Sequence, residues 1–84
     1  MLHIEKTYSS FEREEFLEYF REKGRDHGKG RFSGVGWEVV VGEEFKRKVG
    51  AFPFKAIKLE IWVEETISEE FLEDLMKSFL RGGG

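Results

Sequence analysis

Cysteine, asparagine and glutamine are absent from the chain, and proline occurs once. Without cysteine there is no disulfide framework, no thiolate nucleophile and no thiolate zinc knuckle. That composition suits a reducing, cytoplasmic setting. Long apolar runs are missing too: none approaches the ~20 residues that a membrane span needs. The opening MLHIEKTY alternates, where a secretory signal would be solidly apolar. Nor does one sign of charge dominate. Fourteen Lys and Arg stand against seventeen Asp and Glu, for a net charge of −3, which argues against a general nucleic-acid binder. What remains is a Glu/Lys/Arg-rich composition without amides, the pattern of proteins from hot-growing sources. A thermophilic origin is therefore expected. The 84 residues allow a single domain, 1–84, with one small core. Nine Phe help to fill it, since large rings bury much area per residue.

Hydrophobic periodicity sets the elements. LHIEKTY (2–8) alternates Leu2, Ile4 and Tyr8 against His3, Glu5 and Thr7, with Lys6 out of pattern, and reads as a half-buried strand. SSFEREEFLEYFREKG follows, with Ser9 and Glu12 at capping-box spacing and Gly24 placed as the stop. Phe16, Leu17, Tyr19 and Phe20 share the apolar side of this helix. Residues 24–37 carry five glycines and read as turns, with a short strand at 31–33. WEVVV puts Trp37, Val39 and Val41 on one face. Gly42-Glu43-Glu44 then predicts a hairpin bend into FKRKVGAF. Pro53 predicts an edge or bulge. IKLEIWVE is the clearest strand, with Ile57, Leu59, Ile61 and Val63 inward and Lys58, Glu60, Trp62 and Glu64 outward. A last helix over 68–80 has Ser68 as its cap and Ile67 stapled to Leu72. Its predicted buried stripe is Phe71, Leu72, Leu75, Met76, Phe79 and Leu80. The sum is α+β: β-α-β4-α, an antiparallel sheet with two helices on one face.

Few residues point to chemistry. Gly28-Lys29-Gly30 and Gly34-Val35-Gly36 give GxGxxxGxG. A dinucleotide fingerprint lies between a strand and a helix N-terminus, whereas these glycines follow a helix and precede a strand, as turns do. A zinc site takes four ligands, or three plus water; His3 and His27 with carboxylates could make a weak one, but no ligand spacing points to it, and a surface or loop role is expected for both. The pairs Glu69/Glu73 and Glu70/Asp74 face water at a helix start, with nothing to separate their pKa values as acid–base work requires. The basic stretches REKGRDHGKGR and KRK (46–48) read as a solvated loop and a blunted edge strand. No catalytic, cofactor-binding or metal-binding residue is expected. Trp62 stands apart: it lies on the sheet face opposite the core with Val40 and Lys58, either covered by a loop or offered to a partner.

The tail Arg81-Gly82-Gly83-Gly84 has two readings. Glycine ends helices, and termini fray. Alternatively, Gly83 and Gly84 enter a narrow activating channel, as in ubiquitin-like and sulfur-carrier proteins, where a Cβ would clash.

The chain resembles the C-terminal domain of MoaD-related fusion proteins, in which a sulfur carrier like the small subunit of molybdopterin synthase precedes a domain of this size. The matching stretches are IEKTY (4–8), LEYFREKG (17–24), GKGRF (28–32), KVGAFPFKAIKLEIWVE (48–64) and the final RGGG. The resemblance implies a TATA-box-binding-protein-like fold and a setting in molybdenum-cofactor or sulfur-transfer biology. It supplies no catalytic residues. Met1 opens this domain directly, so the carrier half is expected to be missing. The expected function is a non-enzymatic accessory domain whose partner is a MoaD-type sulfur carrier or its activating enzyme. Activation at Gly84 is the alternative. Nucleic-acid binding on the open sheet face ranks last, because Glu5, Glu38, Glu60 and Glu64 would repel phosphate there.

Overall fold

The computed structural model describes residues 1–80. It contains β1 (Leu2–Ser9), α1 (Arg13–Lys23), β2 (Arg25–Gly28), β3 (Arg31–Gly34), β4 (Trp37–Val41), β5 (Phe45–Val49), β6 (Phe52–Val63) and α2 (Glu65–Ser78). The fold is α+β. One antiparallel sheet runs β1-β6-β4-β3-β2, and β5 pairs with β6 beyond that path. Among the described residues there are six strands rather than five. The added one, β2, lies in the stretch read as turns. Lys29 and Gly30 take φ of 55° and 76°, so both loop residues are left-handed, as a two-residue hairpin whose twist matches its strands requires. The turn signal was correct, but its flanks pair: Gly28 opposes Arg31, and Arg25 opposes Ser33.

The largest departure is at Gly42–Glu44. No hairpin forms there. β4 pairs with the second half of β6, from Trp37↔Val63 to Val41↔Leu59. β5 pairs with its first half, from Phe45↔Ala56 to Val49↔Phe52. Residues 42–44 therefore oppose only Ile57 and Lys58 and form a bulge in one long arm. The bulge holds its place through hydrogen bonds. Gly42 N–H donates to the Lys58 carbonyl at 2.9 Å. Arg13 donates through Nε to the Gly42 carbonyl at 2.9 Å and through Nη2 to the Val41 carbonyl at 3.2 Å. The true hairpin bend is Gly50-Ala51, where Gly50 has φ 65°. Pro53 lies within β6, beyond the last β1 partner at Ala56, where the strand edge is open.

Both helices cover the face bearing Ile57, Leu59, Ile61 and Val63. These join Phe16, Phe20, Phe32, Trp37, Val39, Val41 and Leu75 in one core. The Trp37 ring closes it over the β2–β3 end. A Cβ on Gly24 would meet this ring at 2.7 Å and the Ser33 carbonyl at 2.3 Å, so only glycine fits beneath it.

Both helix starts differ from expectation. α1 begins at Glu12 rather than near Ser9, and the Glu15 carboxylate accepts the Glu12 backbone N–H at 2.7 Å. The intervening Ser10, at φ 68°, turns the chain out of β1. α2 starts behind Glu64, three residues before the expected Ser68. The Ser68 hydroxyl instead donates back to the Glu65 carbonyl at 2.9 Å. In α2, Leu75 is buried, and Ile67, Phe71, Leu72 and Phe79 are partly buried against the core. Met76 and Leu80, expected in the stripe, are exposed; Leu80 lies beyond the end of α2, whose C-cap is Phe79.

Candidate functional site

The helices leave the other face of the sheet open. Alternation along each strand fixes who stands there. β6 contributes Lys58, Glu60 and Trp62; β1 contributes Thr7, Glu5 and His3 directly opposite them. On the other side β4 places Glu38 beside Trp62 and Val40 beside Glu60, and β3 places Arg31 beside Val40. Val40, Lys58 and Trp62 therefore share one surface, as their sequence positions predict. The three-against-two bulge inverts the alternation, so Phe45, Arg47 and Val49 of β5, with Phe54 and Phe52 of β6, continue this same face outward.

Trp62 is half-buried, and its cover is a side chain instead of a loop. The His3 ring stacks on it at 4.7 Å between centroids and 2° between planes. His3 Nε2 approaches Glu60 Oε2 at 3.5 Å, and Lys58 Nζ forms an ion pair with Glu5 Oε1 at 3.2 Å. Paired polar side chains thus line β1 and β6. Glu5 and Glu60 are direct cross-strand partners, an arrangement of like charges that destabilises a sheet unless cations attend it. The fourth expected acid, Glu64, is the N-cap of α2 and is not part of the strand face.

His3 and His27 are not brought together: β1 and β2 are opposite edges of the sheet. His27 Nε2 shares a hydrogen bond with Ser33 Oγ at 2.6 Å. It borders a shallow depression of about 320 Å³ with Arg31, Phe32, Glu38, Val39 and Val40. The basic stretches disperse. Arg21 pairs with Asp26 at 3.3 Å, and Lys46 and Lys48 point to the face opposite Arg47. Gly83 and Gly84 lie outside the described residues.

Three tuned groups, Asp26, Asp74 and Tyr19, sit on the helix side, away from this face. The Gly28 N–H donates to Asp26 at 2.8 Å, and this bond, with Arg21 nearby, holds the carboxyl below its usual range. The Tyr19 hydroxyl donates to Asp74, which also pairs with Lys23 at 3.1 Å. These hydrogen bonds lower Asp74, while burial first, then Asp74, raises the Tyr19 phenol. They join α1 to α2.

Sequence reasoning missed the His3–Trp62–Glu60 grouping and the phenylalanine extension. Alternation could have placed His3 and Trp62 on one face, but only the β1–β6 register sets them side by side.

The sequence matches the archaeal MoaD-like protein family over residues 4–84. The chain belongs to that family. No individual curated protein matches it. An archaeal MoaD-like protein stands in a sulfur-carrier-related setting. In this one, the open face presents aromatic stacking and paired charges, and no described helix is long and apolar enough to cross a membrane.

Proposed function

We propose that the chain is a non-enzymatic accessory domain that docks a small sulfur carrier of the MoaD type, or that carrier's activating enzyme, in the cytoplasm. The docking surface is the open sheet face around Val40, Lys58 and Trp62. One observation carries the reading: a half-buried tryptophan and, beyond the bulge, exposed Phe45, Phe52 and Phe54 lie on one uncovered surface. Aromatic anchors amid polar residues are the anatomy of interface centres. The fusion-domain kinship and the TATA-box-binding-protein-like relation belong to the same proposal. The all-antiparallel sheet and the flanking helices support them, with β2 as a departure.

Calorimetric titration with the cognate carrier and with its activating enzyme tests this. Trp62→Ala and Lys58→Glu should each weaken binding by roughly tenfold or more, with circular dichroism unchanged. Undiminished binding by both variants would remove this face from the reading.

A second reading, activation at Gly84 as a carrier, is favoured by the family match running through residue 84. Intact mass after incubation with ATP, a sulfur donor and the activating enzyme decides it. Exchange of one oxygen for sulfur at Gly84 supports it, and an unchanged mass ends it.

A further inference from the structure

We infer that His3, Glu5 and Glu60 form a binding site for a divalent transition-metal ion of the zinc class, on the open face of β1 and β6. This goes beyond the docking reading and does not depend on it. One ligand atom from each of the three residues lies within 4.8 Å of the others. Nitrogen and oxygen donors sit about 2.0–2.2 Å from zinc, so bound donors stand roughly 3–3.5 Å apart. Small rotations of exposed side chains close that gap, and the backbone need not move. Strands hold such donors more rigidly than loops do.

Three features separate this trio from an ordinary acidic patch. The first is an imidazole among the carboxylates. A nitrogen donor with oxygen donors and no sulfur suits zinc rather than calcium or a copper(I) site. The second is that Trp62 stacks on the imidazole with planes 2° apart, which fixes the orientation of the ring as an outer support does in metal sites. The third is the direct opposition of Glu5 and Glu60, which a dication would relieve more fully than the Lys58 ammonium does. Three protein donors leave a fourth position for water or for a donor from outside the chain.

Lys58 is the built-in competitor. Its ammonium rests on Glu5 Oε1 at 3.2 Å and must leave for the metal to take that oxygen. Among the described residues His27 has no comparable set. Its neighbour Asp26 is engaged by the Gly28 N–H and by Arg21.

The test is a Zn²⁺ titration of the whole chain at neutral pH, followed by calorimetry and by NMR of the two histidine rings. Mg²⁺ serves as the control. Copper and nickel are avoided, because they also bind a histidine through the backbone nitrogens before it, without Glu5 or Glu60. The expected result is one saturable equivalent that shifts the His3 ring signals and leaves those of His27 in place. Glu5→Gln and Glu60→Gln should each weaken binding by roughly tenfold or more, and Lys58→Gln should tighten it. All three substitutions are on the sheet surface, and circular dichroism verifies the fold. The proposal is overturned by an absence of saturable one-to-one binding, by shifts at His27 instead of His3, or by carboxylate variants that bind as the parent does. The first outcome would mean that Lys58 already satisfies this pair of carboxylates. No partner protein enters the titration, so its failure leaves the docking reading standing, and the reverse also holds.

Discussion

The two halves of β6 are neighbours in one strand and opposites in environment. From Ile57 to Val63 every second residue is buried: Ile57, Leu59, Ile61 and Val63 have no exposed surface. From Phe52 to Lys55 every residue is exposed, although two are phenylalanines; Phe52 is 70% exposed. The second half has β1 and β4 on its flanks and helices over one face. The first half has only β5 beside it, and together they make a bare ribbon. This ribbon carries Lys46, Arg47, Lys48 and Lys55 with no acid among residues 45–55, in a chain that is acidic overall. Burial in this fold is thus decided by what covers a strand. The hydrophobicity of the strand itself ranks second. β6, at 12 residues, extends roughly 40 Å, matching the molecule's longest dimension of 41 Å, while the helices stop short of its start.

The sharpest way to break this comparison is to truncate one large side chain in each half. In the covered half, Leu59→Ala should cost about 3 kcal/mol, since a fully buried leucine leaves a cavity that the surroundings fill only in part. Urea unfolding measures it. A loss under 1 kcal/mol would mean that the packing between sheet and helices is much looser than the geometry shows. The junction comes next. Arg13→Ala removes two hydrogen bonds to the bulge carbonyls and should cost about 2 kcal/mol, within the range for charged donors. Amide exchange should then quicken over residues 42–58 and spare β3. Uniform quickening would show that Arg13 supports the whole fold and has no special tie to the bulge.

The covered half was legible in the sequence because burial on one face leaves a period of two. Trp37, Val39 and Val41, like the odd positions of 57–63, declared themselves in this way, as did Phe16 and Phe20 at helical spacing. The ribbon was not legible. Phe45, Phe52 and Phe54 have the composition of core residues, and no local pattern says that helices fail to reach them. The bulge was hidden for a related reason. Gly42-Glu43-Glu44 satisfies turn chemistry, and only pairing with β6, about fifteen residues away, makes it continue straight. At the candidate site, the common face of Val40, Lys58 and Trp62 followed from alternation. The stacking of His3 on Trp62 required the β1–β6 register, which pairs residues as far apart as Leu2 and Val63.

Acid should sharpen the comparison in another way, because the lowered carboxylates belong to the covered body and the ribbon has none. Asp26 and Asp74 are held below the ordinary 3.8. A carboxylate whose folded pKa is depressed contributes its full stability above the unfolded value. That contribution is lost as pH falls through the lower folded value. Stability should therefore decline below about pH 4, by a modest amount given how exposed both groups are. Asp74→Asn should be less stable than the parent at pH 7, and the gap should shrink toward pH 3. Urea midpoints at the two pH values check this, and a constant gap would mean that the Asp74 charge contributes nothing.

The smallest effect is expected at the ribbon's tip. Phe52→Ser exchanges an exposed ring for a hydroxyl and opens no cavity, so global stability should move by no more than about 0.5 kcal/mol. β-Hairpin register there depends on Gly50-Ala51 and on the pairing of Val49 with Phe52, and neither needs the ring. If urea unfolding instead reported a loss close to that of Leu59→Ala, Phe52 would have to be covered in solution. The contrast between the two halves of β6 would then lie in what occupies the ribbon, and sedimentation of the parent and the variant would distinguish a second copy from a closure within one chain. An unchanged midpoint together with weakened carrier binding would place the ring in the docking surface, as a continuation of the face that Trp62 begins.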